Sequence, residues 1–239
     1  KVWVAYNNAS GTPCALLDSA DPQPTFGSNM TFAGAITCGD QSVKITNLLS
    51  YGDPPLPWII KEDEIGSVSA GIYAAVPLGE MKAVRSEKNG TAAIHWGVYL
   101  YFGLLDGMER YYDGRMDDLG PNRDEGLPAI RQGYINKIVS YPGRLYATIN
   151  AGDAGYSSIL CYTGTGWHEV YRGIVLGHSF GDMHIQVNPG GMSTLWFESA
   201  GSIARVQVSN NPKQSSGYGY ITQGALTTSW INCSLAEIK

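Results

Sequence analysis

Leu145-Tyr-Ala-Thr-Ile149, Ser158-Ile-Leu-Cys-Tyr162 and Trp167-His-Glu-Val-Tyr171 follow one another across glycine-bearing links, the second being Thr163-Gly-Thr-Gly166. Apolar side chains alternate along each run. That pattern reads as three consecutive antiparallel strands joined by tight turns. Ile135-Asn-Lys-Ile-Val139, just upstream, supplies a fourth.

The same grammar recurs on both sides. Upstream, Val98-Tyr-Leu-Tyr-Phe102 leads through 103–107 into Met108-Glu-Arg-Tyr-Tyr112, and then into the hairpin dipeptide Asp113-Gly114. Downstream, Thr194-Leu-Trp-Phe197 and Ser202-Ile-Ala-Arg-Val206 flank Gly201. Weaker copies begin at Val2-Trp-Val-Ala5 and Trp58-Ile-Ile60. Their aromatic anchors, Trp3, Trp58, Tyr99, Tyr146 and Trp196, lie 55, 41, 47 and 50 residues apart. A four-stranded unit repeating at that period is the signature of a β-propeller blade. One meander cannot bury two apolar faces alone, whereas stacking blades around an axis buries both. The expected fold is therefore all-β, a propeller of about five four-stranded blades over residues 1–209, with a β-sandwich as the alternative. Residues 210–239 carry strand-like runs at 218–222 and 227–231, which close the last blade or begin a further element; 234–239 reads as a short helix or a strand.

Composition agrees. Charged residues are 15% of the 239, glycine numbers 30, and 15 tyrosines stand against 5 phenylalanines. Disordered chains are charge-rich and aromatic-poor, the reverse of this. No apolar run is long enough for a membrane helix. A net charge of −5 with scattered Lys and Arg gives no basic patch for nucleic acid or an anionic membrane. The absence of an initial Met and of a signal pattern suggests a processed product or a piece of something longer.

Three loops interrupt the pattern. The stretch 50–57 holds Asp53-Pro-Pro-Leu-Pro57 and reads as a link between blades. The others are 113–133, which is polar, and 210–217. Cys14, Cys38, Cys161 and Cys233 match no metal spacing; four buried thiols are expected, with a Cys14–Cys38 pair as the alternative. Asn8, Asn29, Asn89 and Asn232 begin glycosylation sequons.

Catalytic constellations are not found. There is no nucleophile elbow, phosphate loop or dinucleotide fingerprint. His95, His168, His178 and His184 have neither helical nor strand metal-pair spacing, although His178 and His184 flank a Gly-Asp turn. Asp113, Asp117, Asp118, Asp124 and Glu125, with Arg115 and Arg123, offer oxygens but not a calcium-loop spacing. They read as a solvated loop pinned by local Arg–carboxylate pairs. Trp3, Trp58, Trp167 and Trp196 sit in apolar strands and read as packing, while Trp96 and Trp230 are less clearly inward and leave sugar stacking open. The expectation is no catalytic, cofactor or metal residue, and no enzyme.

The stretch Gly120-Pro-Asn-Arg-Asp-Glu-Gly-Leu-Pro-Ala-Ile-Arg-Gln-Gly133, with the blade ending in Gly166-Trp-His-Glu-Val170, resembles uncharacterised β-propeller-like proteins encoded in tailed-phage and environmental viral genomes. The match runs mainly over residues 95–208. The resemblance implies a virion- or tail-associated, extracellular structural module. Its partners would be other virion or surface proteins or a host-surface glycan, and the chain could form oligomers. The resemblance also implies that Arg123, Asp124, Glu125, Arg131 and Gln132 belong to a loop clamping neighbouring blades. The alternative function is a carbohydrate-binding or carbohydrate-active propeller.

Overall fold

In a computed structural model, residues 2–7, 14–19, 32, 34–76, 84–121, 127–187 and 192–209 are described. They form an all-β protein of five antiparallel sheets, each a simple meander. Sheet 1 is β1 (Val2–Tyr6), β2 (Ala15–Ser19) and β3 (Ile36–Thr37). Sheet 2 is β4 (Ile45–Tyr51), β5 (Leu56–Lys61), β6 (Ile65–Ser69) and β7 (Ile72–Val76). Sheet 3 is β8 (Ala93–Trp96), β9 (Tyr99–Leu104), β10 (Gly107–Tyr112) and β11 (Arg115–Asp118). Sheet 4 is β12 (Tyr134–Tyr141), β13 (Arg144–Asn150), β14 (Ser158–Tyr162) and β15 (Trp167–Arg172). Sheet 5 is β16 (Phe180–Val187), β17 (Met192–Ser199) and β18 (Ser202–Ser209). The described helical content is one 3-10 turn, Ala129–Arg131.

Strand alternation with both phases apolar dictates the packing. On β13, Leu145, Ala147 and Ile149 face sheet 3, and Tyr146 faces sheet 5. Four buried clusters result, each joining consecutive sheets. Leu16 and Cys38 meet Ile59 and Val68; Trp58 and Ile60 meet Phe102 and Tyr111. Tyr101 and Met108 meet Ile135 and Leu160; Tyr146 and Ile159 meet Phe180 and Phe197. Close approach needs Gly103: a Cβ there would stand 2.7 Å from the Ile135 Cβ.

Side-chain amides stitch the first strands together. The register of sheets 2 and 4 breaks between Ile45 and Asn47 and between Ile135 and Lys137, just inside β4 and β12. From these bulges Asn47 Nδ2 donates to the Thr91 carbonyl (3.0 Å) and Asn136 Nδ2 to the Phe180 carbonyl (2.9 Å), each 44 residues ahead. At the sheet 5 break, Asp182 takes the Lys137 ammonium at 2.7 Å. First strands therefore run parallel from sheet 2 to sheet 5. Tyr51 Oη donating to the Val98 carbonyl (2.9 Å) ties the far ends of β4 and β8.

Sheet 1 departs from this frame. Asn7, just past β1, exchanges two hydrogen bonds with the Ile45 backbone at the start of β4. Thus β1 runs antiparallel to β4 and matches the second strand of the other sheets. All five aromatic anchors then fall on second-type strands: β1, β5, β9, β13 and β17. Among the described residues, sheet 1 lacks a first strand and sheet 5 a fourth.

This topology defines two ends. Turns between first and second, and third and fourth, strands gather at a hairpin end. Turns between second and third strands, with the crossings between sheets, gather at a connection end.

Two readings of the sequence need correcting. Residues 52–55 are the hairpin turn between β4 and β5, not a link between sheets, because Pro57 is accommodated as the second residue of β5, opposite Ser50. The loop after Asp113 is shorter than expected. Asp113 (φ 47°) and Gly114 (φ 79°) form a two-residue turn, and Arg115–Asp118 is strand. Asn8, Asn29, Arg123, Asp124, Glu125 and residues 210–239, with Trp230, Asn232 and Cys233, lie outside the described residues.

Candidate functional site

A concavity of about 710 Å³ opens at the hairpin end between sheets 1 and 2. Trp3 of β1 forms one wall. Leu48, Leu49 and Ser50 of β4, with Pro55, Leu56 and Pro57 at the following hairpin, form another. Val68 and the turn Ser69-Ala70-Gly71 complete it. Alternation puts Leu48, Ser50 and Pro57 on the sheet 1 side, so the pocket lies where the described strands of sheet 1 do not cover sheet 2. Its volume is that of a ligand site, and among the described residues its lining includes no ionisable side chain.

Sheets 1 and 2 are locked below it by Lys61, whose side chain is fully buried. Its three protons go to the Cys38 and Asp40 carbonyls (2.7 Å each) and to Glu64 Oε1 (2.9 Å). A buried ammonium with every proton placed is a structural pin rather than a reagent.

The residues singled out from the sequence are dispersed. His95, His168 and His184 are exposed on β8, β15 and β16, and half-buried His178 lies in the crossing between sheets 4 and 5. His178 and His184 form no pair in the hydrogen bonds or ring contacts. Among the described residues no three His, Cys, Asp or Glu side chains are grouped to hold a metal. Asp117 pairs with Arg110 across the strands at 2.8 Å. Asp118 accepts from the Gly120 amide at 2.9 Å. Arg131 pairs with Glu169, which Arg172 also engages, so this part of the loop clamps its own sheet. Gln132 donates back to the Leu127 carbonyl at 2.8 Å.

The aromatic residues mostly pack. Trp58 and Tyr146 are buried between sheets, and Trp96 and Trp167 pack against the sheet 3–4 core. Trp167 Nε1 crosses to the Leu119 carbonyl at 2.6 Å. Half-buried Trp196 donates to Gln186, with the Arg205 guanidinium over its ring.

Cys14, Cys38 and Cys161 are buried and free. Burial pushes the Cys38 and Cys161 thiols up, which keeps them protonated and poor nucleophiles. Asn89 is no glycan acceptor in the folded chain. Its side chain is completely buried; Nδ2 donates to the Glu62 and Val84 carbonyls, and Oδ1 accepts from the Leu105 amide.

One carboxyl group escaped the sequence reading. Glu109 of β10 is paired in register with Phe102 and Asp118. Its Oε2 is buried without a hydrogen-bond partner. Burial first, then Asp118 and Asp106, push it up to about 7. Alternation placed it on the core-facing side, but nothing local distinguishes it from Arg110 beside it.

No helix among the described residues is long and apolar enough to cross a membrane. No protein-family model and no curated protein matches the chain. Among solved structures it is similar to one titled the crystal structure of the computationally designed Ika4 protein. The TM-score is 0.48 at 10% identity, over 72% of this chain and 96% of that one.

Proposed function

We propose that the five sheets are blades of one closed five-bladed propeller, working as a non-enzymatic docking module of a structural or adhesive assembly. The observation that carries the docking role is the uncharged pocket at the hairpin end. Acid–base and nucleophilic chemistry need a titratable group against the reacting atom, and among the described residues no such group lines this pocket. Trp3, three leucines and two prolines instead offer rigid apolar walls that suit an apolar protein segment. The resemblance of the 120–133 loop to viral proteins would make that assembly a virion or phage tail. Closure is supported by the complementary deficits of sheets 1 and 5: one wants a first strand, the other a fourth. The runs at 218–222 and 227–231 match that need in number.

Trp3 beside the Ser50 and Ser69 hydroxyls favours a second reading, a glycan stacked on the indole. An apolar fluorescent dye and a glycan array separate the two. Dye binding abolished by Ser50→Trp, with a flat array, is the expected result. Array binding lost in Trp3→Ala would favour the glycan, and no dye binding by the wild-type protein would remove the docking role. For closure, a 1–209 chain should melt well below the full chain and aggregate through its open sheet edges; equal melting would refute it.

A further inference from the structure

Sheet 1 sets two cysteines across from each other. The ladder between β2 and β3 pairs Ala15 with Thr37 and Leu16 with Ile36. Continued by one residue, that register places Cys14 opposite Cys38. Both side chains belong to one buried cluster with Leu16, Ile45, Ile59 and Val68, and they are 3% and 0% exposed. Directly opposed residues of an antiparallel pair have Cβ atoms about 4.5–5.5 Å apart. A disulfide asks for roughly 3.5–4.5 Å, so a small closing movement joins the sulfurs.

Both backbones are held from outside the ladder. The Cys14 amide donates to the Gln41 carbonyl at 3.1 Å, and the Cys38 carbonyl accepts from the buried Lys61 ammonium at 2.7 Å. The Cys38 sulfur is turned toward β2. It donates weakly to the Ile36 carbonyl at 3.3 Å and accepts from the Leu16 amide. Leu16 lies two residues from Cys14, on the same side of β2. Cys161 is the contrast: its register partners are Tyr146 and His168, and among the described residues no cysteine stands opposite it.

We propose that Cys14 and Cys38 form a cross-strand disulfide that staples β3 to β2 when the protein meets a low-molecular-weight disulfide such as oxidised glutathione. One cysteine, as its thiolate, attacks a sulfur of the oxidant, and one glutathione thiolate leaves. The second cysteine attacks the protein sulfur of that mixed disulfide and displaces the other glutathione. The oxidant's S–S bond breaks and the protein's forms. Two electrons pass to the oxidant, and the two protons end on the released thiols. Burial makes these steps slow in the folded protein, so the bond forms as the chain folds or through local opening, and once made it is shielded. β3 is only two residues long, so it gains most from a covalent tie. Closing the loop between the two cysteines also constrains the unfolded chain. The staple persists in oxidising surroundings, and in a reducing compartment the pair stays a dithiol.

Peptide mapping of the full chain tests this. The protein is refolded from urea at increasing ratios of oxidised to reduced glutathione, so that burial cannot hide the thiols. Remaining thiols are blocked with N-ethylmaleimide, and the chain is cleaved on the amino side of Asp without reduction. Cuts before Asp18, Asp21 and Asp40 leave Cys14 and Cys38 on separate peptides, 1–17 and 21–39. Mass spectrometry should find those two joined and lighter by two hydrogens, with Cys161 carrying the maleimide. The oxidised protein should melt about 5–10 °C above the reduced one. Cys14→Ser and Cys38→Ser should each abolish that gain, and Cys161→Ser should keep it. The mapping uses the unmutated chain, so it decides the linkage even if a serine variant folds poorly. Several results overturn the inference: both peptides maleimide-blocked at the most oxidising ratio, glutathione retained on either cysteine, or a bond from Cys14 or Cys38 to Cys161 or Cys233. A joined pair that melts no higher than the reduced protein overturns it too.

Discussion

Glu109 makes the stability of this protein depend on pH in a direction that can be worked out. Its carboxyl lies between sheets 2 and 3, with Oε2 unpartnered, and titrates at about 7 against an ordinary value of 4.5. The folded state thus holds its proton more tightly than the unfolded chain does. Below pH 4.5 both states are protonated and the residue costs nothing. From about 4.5 to 7 the unfolded chain ionises first, so stability falls as pH rises. Above 7 the full penalty is in place. A gap of roughly 2.5 pH units at about 1.4 kcal/mol each sets a ceiling near 3.4 kcal/mol. Glu109 is only partly buried, so water screens it and about 2 kcal/mol is the better expectation. Glu109→Gln keeps the shape and removes the ionisation. Urea unfolding followed by tryptophan fluorescence at pH 4.5, 6 and 8 reads the difference between the two proteins. Any cost of the amide itself is the same at every pH and cancels from the slope. The variant should gain about 2 kcal/mol on wild type between pH 4.5 and 8. A difference flat with pH to within about 0.5 kcal/mol would refute a buried, uncompensated carboxyl.

Two further substitutions probe the polar pins between sheets. Asn150→Ala strips the Phe180 amide of the acceptor it holds at 2.7 Å. It should cost about 1–3 kcal/mol and speed hydrogen exchange at Phe180; unchanged exchange there would contradict the stitch. Lys61→Met leaves two backbone carbonyls and Glu64 without their shared proton donor, at an expected cost of about 3–5 kcal/mol. A loss under about 1 kcal/mol in urea unfolding would show that water replaces the ammonium.

How much of this was legible depended on range. Asp113-Gly114 is a turn wherever it occurs, and the structure places its two positive φ values there. Leu145–Ile149 alternates apolar side chains on both phases, and only neighbours on each side can cover both. The chain around 50–57 misled because proline usually ends a strand, yet Pro57 fits next to a turn. Asn89 carries a valid sequon, and only the fold reveals that its amide nitrogen is occupied. Asn47 and Asn136 look like any polar strand residue until a partner 44 residues away is adjacent.

The sequence by itself determined all four strands of sheet 4, one or two strands in each of the other sheets, and several turns, because these follow from side-chain period and backbone freedom over a few residues. The tertiary structure alone decided which strand comes first in each sheet, and with it the two ends. It decided that Trp3 meets a hairpin some fifty residues away to form a pocket, and that Ile174, Val175 and Leu176 face water when the same pattern elsewhere is core. Burial is a property of what stacks against a residue, and that neighbour is set by the order and hand of the sheets.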